Sequence, residues 1–266
     1  MPFPDSSDEH EDKRFIASHE VYKILSYEGR DELERPFTSL MWSGVVAGLC
    51  ISFSLIAEGI LRHHLPDTPG RFLIENFGYC IGFIIVIIGR FQLFTENTIS
   101  AVLPMLYSKT LYNISLTARL WGVVFFANIT GTFIMALLIV YTNILSPDVL
   151  PDINALSHHA VHHSPTDLFI KAIPAGFLVA AITWLLPNAT FGKFFVILMM
   201  TYLIAIGDFS HVIVGSAEVF TLMVQSEIAI WTGLQYLLIV GLGNIMGGTG
   251  LFTLLAYAQV HKEIRH

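Results

Sequence analysis

Residues 204–211 have the sequence Ile-Ala-Ile-Gly-Asp-Phe-Ser-His and lie inside a strongly apolar segment, Phe194 to Met223. A related stretch, Gly89-Arg90-Phe91-Gln92, follows a second apolar segment, Leu73 to Ile88. Glycine and clustered polar side chains favour non-helical backbone, so each stretch predicts an interruption of a helix. At membrane depth such backbone persists only where it is buried in protein or lines a water-filled cavity. The paired interruptions indicate a pathway across a membrane; the alternative is that the glycines only allow close helix packing.

The composition also indicates a membrane protein. Hydrophobic residues make up 54% of the 266 residues and charged residues 13%, whereas an average soluble chain carries about 25% charged residues. A bilayer core of about 30 Å needs roughly 20 mostly apolar residues per helix. We predict six membrane helices, at Leu40–Leu61, Leu73–Ile88, Leu120–Leu145, Ala172–Leu186, Phe194–Met223 (broken) and Trp231–Ala258.

An internal repeat relates the two halves of the chain. Three short matches occur in the same order, separated by 128, 118 and 116 positions. Because each half holds three membrane helices, an odd number, the second half enters from the opposite face of the membrane. The matched pairs are Ala47-Gly48-Leu49 with Ala175-Gly176-Phe177, Gly89-Arg90-Phe91 with Gly207-Asp208-Phe209, and Asn128-Ile129-Thr130-Gly131 with Asn244-Ile245-Met246-Gly247.

These observations predict an all-α membrane protein of six transmembrane helices, arranged as two inverted three-helix repeats with helices 2 and 5 broken. The repeats cover approximately residues 36–145 and 165–260 of a channel domain at 36–260. A charged N-terminal tail, 1–35, precedes this domain, and we expect an amphipathic helix in it over Ala17 to Leu33. Residues 261–266 form a C-terminal tail.

The distribution of charge predicts the orientation and excludes one class of partner. Eleven Lys and Arg residues fall on the side of the N-terminus, against Arg62, Arg71 and Lys171 on the other. The positive-inside rule therefore predicts that both termini are cytoplasmic. The net charge of −7 lacks the basic footprint that nucleic-acid binding needs.

Three motifs resemble those of the formate/nitrite transporter family: Leu93-Phe94-Thr95, Phe209-Ser210-His211 and the run from Gly243 to Gly248, Gly-Asn-Ile-Met-Gly-Gly. The resemblance covers roughly Arg35 to Tyr257. It implies an aquaporin-like fold, a homopentamer in the inner (plasma) membrane, and one pore per protomer for small monovalent anions such as formate, nitrite or hydrosulfide. It implies neither a cofactor nor an enzymatic activity.

The resemblance also implies roles for individual residues. A central histidine, His211, would face Thr95 between two hydrophobic constrictions, for which Leu93, Phe94 and Phe209 are our candidates. Lys171 would attract anions. Asn128 and Asn244 occupy the repeat-related positions of helices 3 and 6. The chain departs from many relatives at Gln92 and Ser210, where they carry acidic residues, so the identity of the anion does not carry over.

The chemistry of His211 supports a pore role. A histidine at membrane depth is costly, and it can change charge near neutral pH. We hypothesise that a weak-acid anion takes up a proton at or near His211 and crosses the constrictions as the neutral acid, because a bare anion would cross a dry slit at far greater cost. The alternative is a histidine hydrogen-bonded within a packed core.

Other polar residues leave alternatives open. Arg90 and Asp208 are repeat equivalents of opposite charge, and we predict that they form a buried ion pair. The sequence His158-His159-Ala160-Val161-His162-His163 on the outer side resembles one box of membrane di-iron oxygenases. That class needs about eight such ligands in several boxes on the cytoplasmic side, so we predict no metal site and no metal-dependent oxidoreductase. Adventitious metal binding and a pH-sensitive lid are the alternatives for this sequence. A neutral-solute or ammonium channel is a further alternative, although the paired Asn-Pro-Ala signature of aquaporins is absent.

Overall fold

The computed structural model describes residues 15–108 and 110–264, and none of these residues forms a β-strand. The α-helices are α1 Ser18–Glu34, α2 Phe37–Ile51, α3 Phe53–His64, α4 Arg71–Ile88, α5 Asn97–Ser100, α6 Val102–Tyr107, α7 Leu111–Tyr141, α8 Leu150–Val161, α9 Pro165–Leu185, α10 Lys193–Ile206, α11 Val212–Val224, α12 Ile230–Ile245 and α13 Leu254–Val260. Short 3-10 turns at Pro147–Val149 and Leu186–Asn188 and a π-helical stretch at Met246–Thr253 complete the helical structure.

Five continuous helical stretches of the described chain are long and apolar enough to cross a membrane: Phe37–His64, Arg71–Ile88, Leu111–Tyr141, Pro165–Asn188 and Ile230–Val260. They correspond to five of the six predicted segments. The predicted Leu120–Leu145 helix is displaced, because the Thr110 hydroxyl accepts a hydrogen bond from the Asn113 amide at 3.2 Å and starts α7 at Leu111. The predicted fifth segment consists of two shorter apolar helices, α10 and α11.

The chain leaves the helical conformation at both predicted interruptions. Helix α4 ends at Ile88 and α5 begins at Asn97, while α10 ends at Ile206 and α11 begins at Val212. Arg90 and Asp208 each have a φ of 53°, a left-handed conformation that is uncommon outside glycine. The next amide after each donates back into the helix, Phe91 to Val86 and Phe209 to Ile204, both at 3.0 Å. Both helices therefore end in the same left-handed capping motif.

The N-terminal helix α1 packs against the membrane helices. The Tyr22 hydroxyl donates to the Leu103 carbonyl at 3.2 Å, and Val21 and Leu25 lie in a core cluster with Ile99. The expected helix was one that lies on the membrane; α1 covers nearly the same residues, and its apolar face packs against protein.

The histidine-rich sequence at residues 158–163 lies at the C-terminal end of helix α8. His158 and His159 lie in its last turn, and His162 and His163 follow its end. The close approach of α8 to α3 is made at Gly59, which lies against the Ile153 side chain.

Large apolar side chains cover the outward faces of the long helices. Phe126 on α7, Phe195 on α10, Trp231 on α12 and Leu255 on α13 are all more than half exposed. Such a surface is too extensive for a soluble monomer and is typical of faces that contact lipid or a neighbouring subunit.

Candidate functional site

Asn128 on α7 holds the first interruption in place. Its Nδ2 donates to the carbonyls of Gly44 and Gln92, both at 2.8 Å, and its Oδ1 accepts from the Phe94 amide at 2.9 Å. The side chain is fully buried. It therefore supplies the partners that the non-helical backbone around Gln92 and Phe94 cannot obtain from lipid.

Asn244 on α12 does the same for the second interruption. Its Nδ2 donates to the carbonyls of Ala172 at 2.8 Å and Ser210 at 2.9 Å, and its Oδ1 accepts from the Val212 amide at 2.8 Å. Each of these partners lies 128 or 118 positions after its counterpart at Asn128, and the two asparagines are 116 apart. These are the three spacings found in the sequence.

We expect the asparagines to be required for stability. In Asn128→Leu or Asn244→Leu, two carbonyls and one amide lose their partners at similar side-chain volume, and each orphaned buried group costs about 1–3 kcal/mol. The purified variants should show a lower thermal midpoint by circular dichroism. Asn143→Leu, at an exposed position, is the matched control and should leave the midpoint unchanged; an equal midpoint in all three would contradict the anchoring role.

His211 and Thr95 meet where the two interruptions approach each other. Thr95 Oγ1 lies 2.8 Å from His211 Nε2, and both side chains are buried, at 0% and 2% exposed. The Val214 amide donates to His211 Nδ1 at 3.3 Å, so in the neutral ring Nδ1 is the acceptor and Nε2 carries the proton towards Thr95. The Phe83 ring meets the imidazole edge-on, with centroids 4.9 Å apart.

Two cavities lie on either side of this pair. The first, about 500 Å³, has His211, Phe209, Ser210 and Asp208 in its wall, and we call it the His211 vestibule. The second, about 550 Å³, is lined by Arg90, Phe91, Gln92, Glu96 and Asn97 among others, and we call it the Gln92 vestibule. Because Thr95 contacts His211 of the first cavity, while Gln92 and Glu96 on either side of Thr95 line the second, Thr95 lies between the two vestibules.

The profile of the Formate/nitrite transporter family matches residues 19–258. The chain belongs to this family.

Three comparisons illustrate the relationship. Inner membrane protein YfdC of Escherichia coli (strain K12) is 39% identical over 258 residues, which cover 96% of this chain and 82% of YfdC. The formate-nitrite transporter of Plasmodium falciparum (isolate 3D7) is 26% identical over 240 residues, covering 83% of this chain and 76% of that protein. A solved pentameric formate channel with formate bound has a TM-score of 0.71 at 21% identity and covers 85% of this chain and 98% of its own.

Membership confirms two predictions. The chain is an all-α membrane protein of the formate/nitrite transporter family, and its family is one of transporters rather than enzymes. The structure of this formate/nitrite transporter family member shows where the individual site residues lie.

The candidate constriction residues lie in two different surroundings. Phe209 lines the His211 vestibule. Leu93 and Phe94 are buried and line neither vestibule, and the Phe94 ring packs edge-on against Trp121 and Phe125. Sequence reasoning missed Phe91, which lines the Gln92 vestibule; its spacing of 118 from Phe209 would have identified it.

The prediction that Arg90 and Asp208 form a buried ion pair is wrong. Arg90 Nη2 lies 3.7 Å from Glu28 Oε1 on α1, whereas Asp208 binds Lys171 and His159. The two residues end different half-helices and line different vestibules. Equivalent positions in the repeat therefore do not bring these two charges together.

Lys171 belongs to a cluster of charged and ionisable side chains at the rim of the His211 vestibule. Its ammonium binds Asp208 Oδ2 and lies 3.2 Å from His163 Nε2, while His159 Nε2 lies 3.0 Å from Asp208 Oδ1. Burial, together with the Lys171 ammonium, lowers the pKa of His163. The charge that we expected to attract anions is thus compensated by Asp208. The ligand atoms of His159, His163 and Asp208 lie within 4.8 Å of one another, but the Lys171 ammonium already binds this group.

Gln92, one of the departures from other relatives, connects the first interruption to helix α1. Its Nε2 donates to Glu32 Oε2 at 2.5 Å and its Oε1 accepts from Asn97 Nδ2 at 3.0 Å. Sequence reasoning did not identify this contact, because Glu32 lies 60 positions away from Gln92.

Proposed function

We propose that this formate/nitrite transporter family member is a channel or transporter for small monovalent anions of weak acids, such as formate or nitrite, and that each anion is protonated at His211. The observation that carries the proposal is the buried contact between Thr95 and His211, at the junction of the two vestibules. The family description and the formate bound to the related pentameric channel support the choice of anion.

The geometry supports a proton transfer at this junction. The neutral imidazole holds its proton on Nε2, which faces Thr95 Oγ1. The two residues before Thr95, Leu93 and Phe94, are apolar and buried. The imidazole takes up a second proton from the solution in the His211 vestibule, and the resulting imidazolium gives one proton to an anion there and becomes neutral again. The anion then crosses as the uncharged acid and releases its proton in the Gln92 vestibule. Transferring a bare anion through the same region would cost far more, because no hydrogen-bond partners replace its water.

We infer that the two halves are inverted repeats with helices 2 and 5 broken. The equal spacings at the two asparagine anchors and the matched left-handed residues Arg90 and Asp208 support this inference. The repeats then bring the two interruptions together from opposite faces of the membrane.

We further propose a homopentamer in the inner (plasma) membrane with both termini cytoplasmic. The pentameric state of the related formate channel, the exposed apolar faces and the distribution of Lys and Arg support this assembly and orientation.

The test is uptake into proteoliposomes that contain the purified protein, with a pH gradient imposed across the membrane. We expect uptake of formate or nitrite to rise when the outer side is made more acidic. At pH values above the pKa of the acid, the fraction of neutral acid increases tenfold for each unit by which the pH is lowered. Liposomes without protein are the control. Uptake of glycerol or ammonium without formate, nitrite or hydrosulfide would contradict the proposal and support a neutral-solute or ammonium channel.

A further inference from the structure

Four polar side chains of the His211 vestibule have no hydrogen-bond partner among the described residues. Glu58, Tyr79, Glu218 and Tyr236 all line the same cavity as His211. Glu58, Tyr79 and Tyr236 are buried, at 8%, 7% and 3% exposed. None of the four side chains forms a hydrogen bond or an ion pair within the described chain, so their polar atoms can bind a molecule inside the cavity.

The four groups come from four different helices. Glu58 is on α3, Tyr79 on α4, Glu218 on α11 and Tyr236 on α12. Two glycines make this convergence sterically feasible. Gly78 packs against the backbone of Glu58, and Gly215 packs against the Tyr236 hydroxyl, so that a Cβ at either position would collide with these groups. The arrangement is therefore a property of the packed pore rather than of one helix face.

The other carboxylates that face this cavity are compensated. Glu75 lies 3.0 Å from Arg62 and 3.3 Å from Arg71. Asp208 is paired with Lys171, and His159 and His163 lie beside it. His158 is paired with Glu227 at 2.5 Å. Glu58 and Glu218 thus remain as two carboxyl groups of this vestibule that form no ion pair in the described chain; Arg62, one helical turn after Glu58, is paired with Glu75 instead.

Two uncompensated negative charges in one small cavity repel each other and any anion that enters. The free-energy cost of this repulsion falls when a proton is held between a carboxyl group and an entering oxyanion. One hydrogen bond then joins the two oxygens, which would otherwise carry charges that repel each other. The phenol groups add donors, which the remaining oxygen of such an anion requires.

We propose that the His211 vestibule is a binding site for the anion of a weak acid together with one proton. The proton is shared between an oxygen of the substrate and the carboxyl group of Glu58 or Glu218, and the hydroxyls of Tyr79 and Tyr236 donate to the substrate. One proton enters from the adjoining solution with each anion, and no other reactant is required. This site deepens, and rests on, the proposed function, because it delivers the substrate to His211 with its proton nearby.

A consequence of this site is selectivity against permanently ionised anions. Chloride and nitrate are anions of strong acids and do not share a proton with a carboxyl group at neutral pH, so their repulsion from Glu58 and Glu218 is not relieved. Charge of one sign in a cleft changes the local concentration of an ion by about 10- to 1,000-fold. The vestibule therefore favours formate or nitrite over nitrate.

The experiment compares formate uptake and nitrate current in reconstituted wild type and in the double variant Glu58→Gln, Glu218→Gln. The amide is close in size to the carboxyl group but carries no charge and does not share an acidic proton. We expect the formate-to-nitrate ratio to fall by at least about tenfold in the double variant. Asp148→Asn, an exposed residue outside the wall of the vestibule, is the matched control and should keep the wild-type ratio.

A second variant keeps the proposal testable if the double variant does not fold. Tyr79→Phe with Tyr236→Phe removes only two hydroxyls and should raise the formate concentration for half-maximal uptake several-fold while nitrate remains excluded. The proposed site would be wrong, and the proposed function would stand, if two results were found together. The folded glutamine variant would take up formate with an unchanged formate-to-nitrate ratio, and the phenylalanine variant would need the same formate concentration as the wild type for half-maximal uptake. An ammonium current that disappears in the glutamine variant would also overturn the site, since a cation would then be the ligand. No transport of any weak-acid anion by the wild type would instead overturn the proposed function, and this site with it.

Discussion

Replacing His211 by phenylalanine or asparagine is expected to reduce formate or nitrite uptake into proteoliposomes by at least about a hundredfold. Positioned acid–base groups contribute about 10²- to 10⁴-fold to the rate of a proton transfer, and neither replacement carries a titratable proton. Phenylalanine preserves the volume of a ring in this buried position. Asparagine keeps a polar group that can hydrogen-bond to Thr95.

The asparagine variant separates a proton-transfer role from a packing role. If His211 were only a hydrogen-bonded core residue, His211→Asn would retain its contact with Thr95 and would transport at close to the wild-type rate. If His211 transfers the proton, both variants fail while their thermal midpoints stay near that of the wild type. His64→Phe, an exposed histidine at the end of α3, is the control and should transport normally.

Replacing Gly48 or Gly176 by valine is expected to prevent the assembly of the folded pore. A Cβ at Gly48 would collide with the Asn128 carbonyl oxygen, and a Cβ at Gly176 would collide with the Asn244 carbonyl oxygen. These obstacles are backbone atoms that cannot rotate away, so α2 must separate from α7, or α9 from α12. Overpacking of this kind costs about 1–3 kcal/mol and occasionally more, and here it also displaces an asparagine anchor.

The measurement is the yield of monodisperse protein in size-exclusion chromatography, together with its thermal midpoint. The control is Gly122→Val on α7, where no described atom lies within 4 Å of the position that a Cβ would take. It should behave as the wild type. Normal yield and midpoint for Gly176→Val would mean that the close contact between α9 and α12 does not support the anchor.

Much of the architecture followed from local features of the sequence. The apolar segments predicted the membrane helices because hydrophobic length is a property of consecutive residues. Gly89 and Gly207, each followed by polar residues, predicted the ends of α4 and α10 because backbone preference acts over a few positions. The start of α7 was misplaced, since residues 111–119 mix polar with apolar side chains and the helix begins at the cap of Thr110.

The candidate site was predicted in part. The resemblance and the repeat singled out Asn128, Asn244, Thr95 and His211, and the structure brings the last two within 2.8 Å. The roles of the asparagines, the position of Phe83 against His211 and the contact of Gln92 with Glu32 were not predictable. Each joins helices that are far apart in sequence, and no spacing rule relates such residues.

The interruptions at residues 89–96 and 207–211 separate what the sequence predicts from what only the tertiary structure decides. The sequence by itself determined that both breaks exist, because glycine and clustered polar side chains act on the backbone within a few residues. Only the tertiary structure decided what each break contacts: Asp208 binds Lys171 rather than Arg90, and Thr95 meets His211. The physical reason is that a break is set by local backbone preference, whereas the partner of a side chain depends on how distant helices pack.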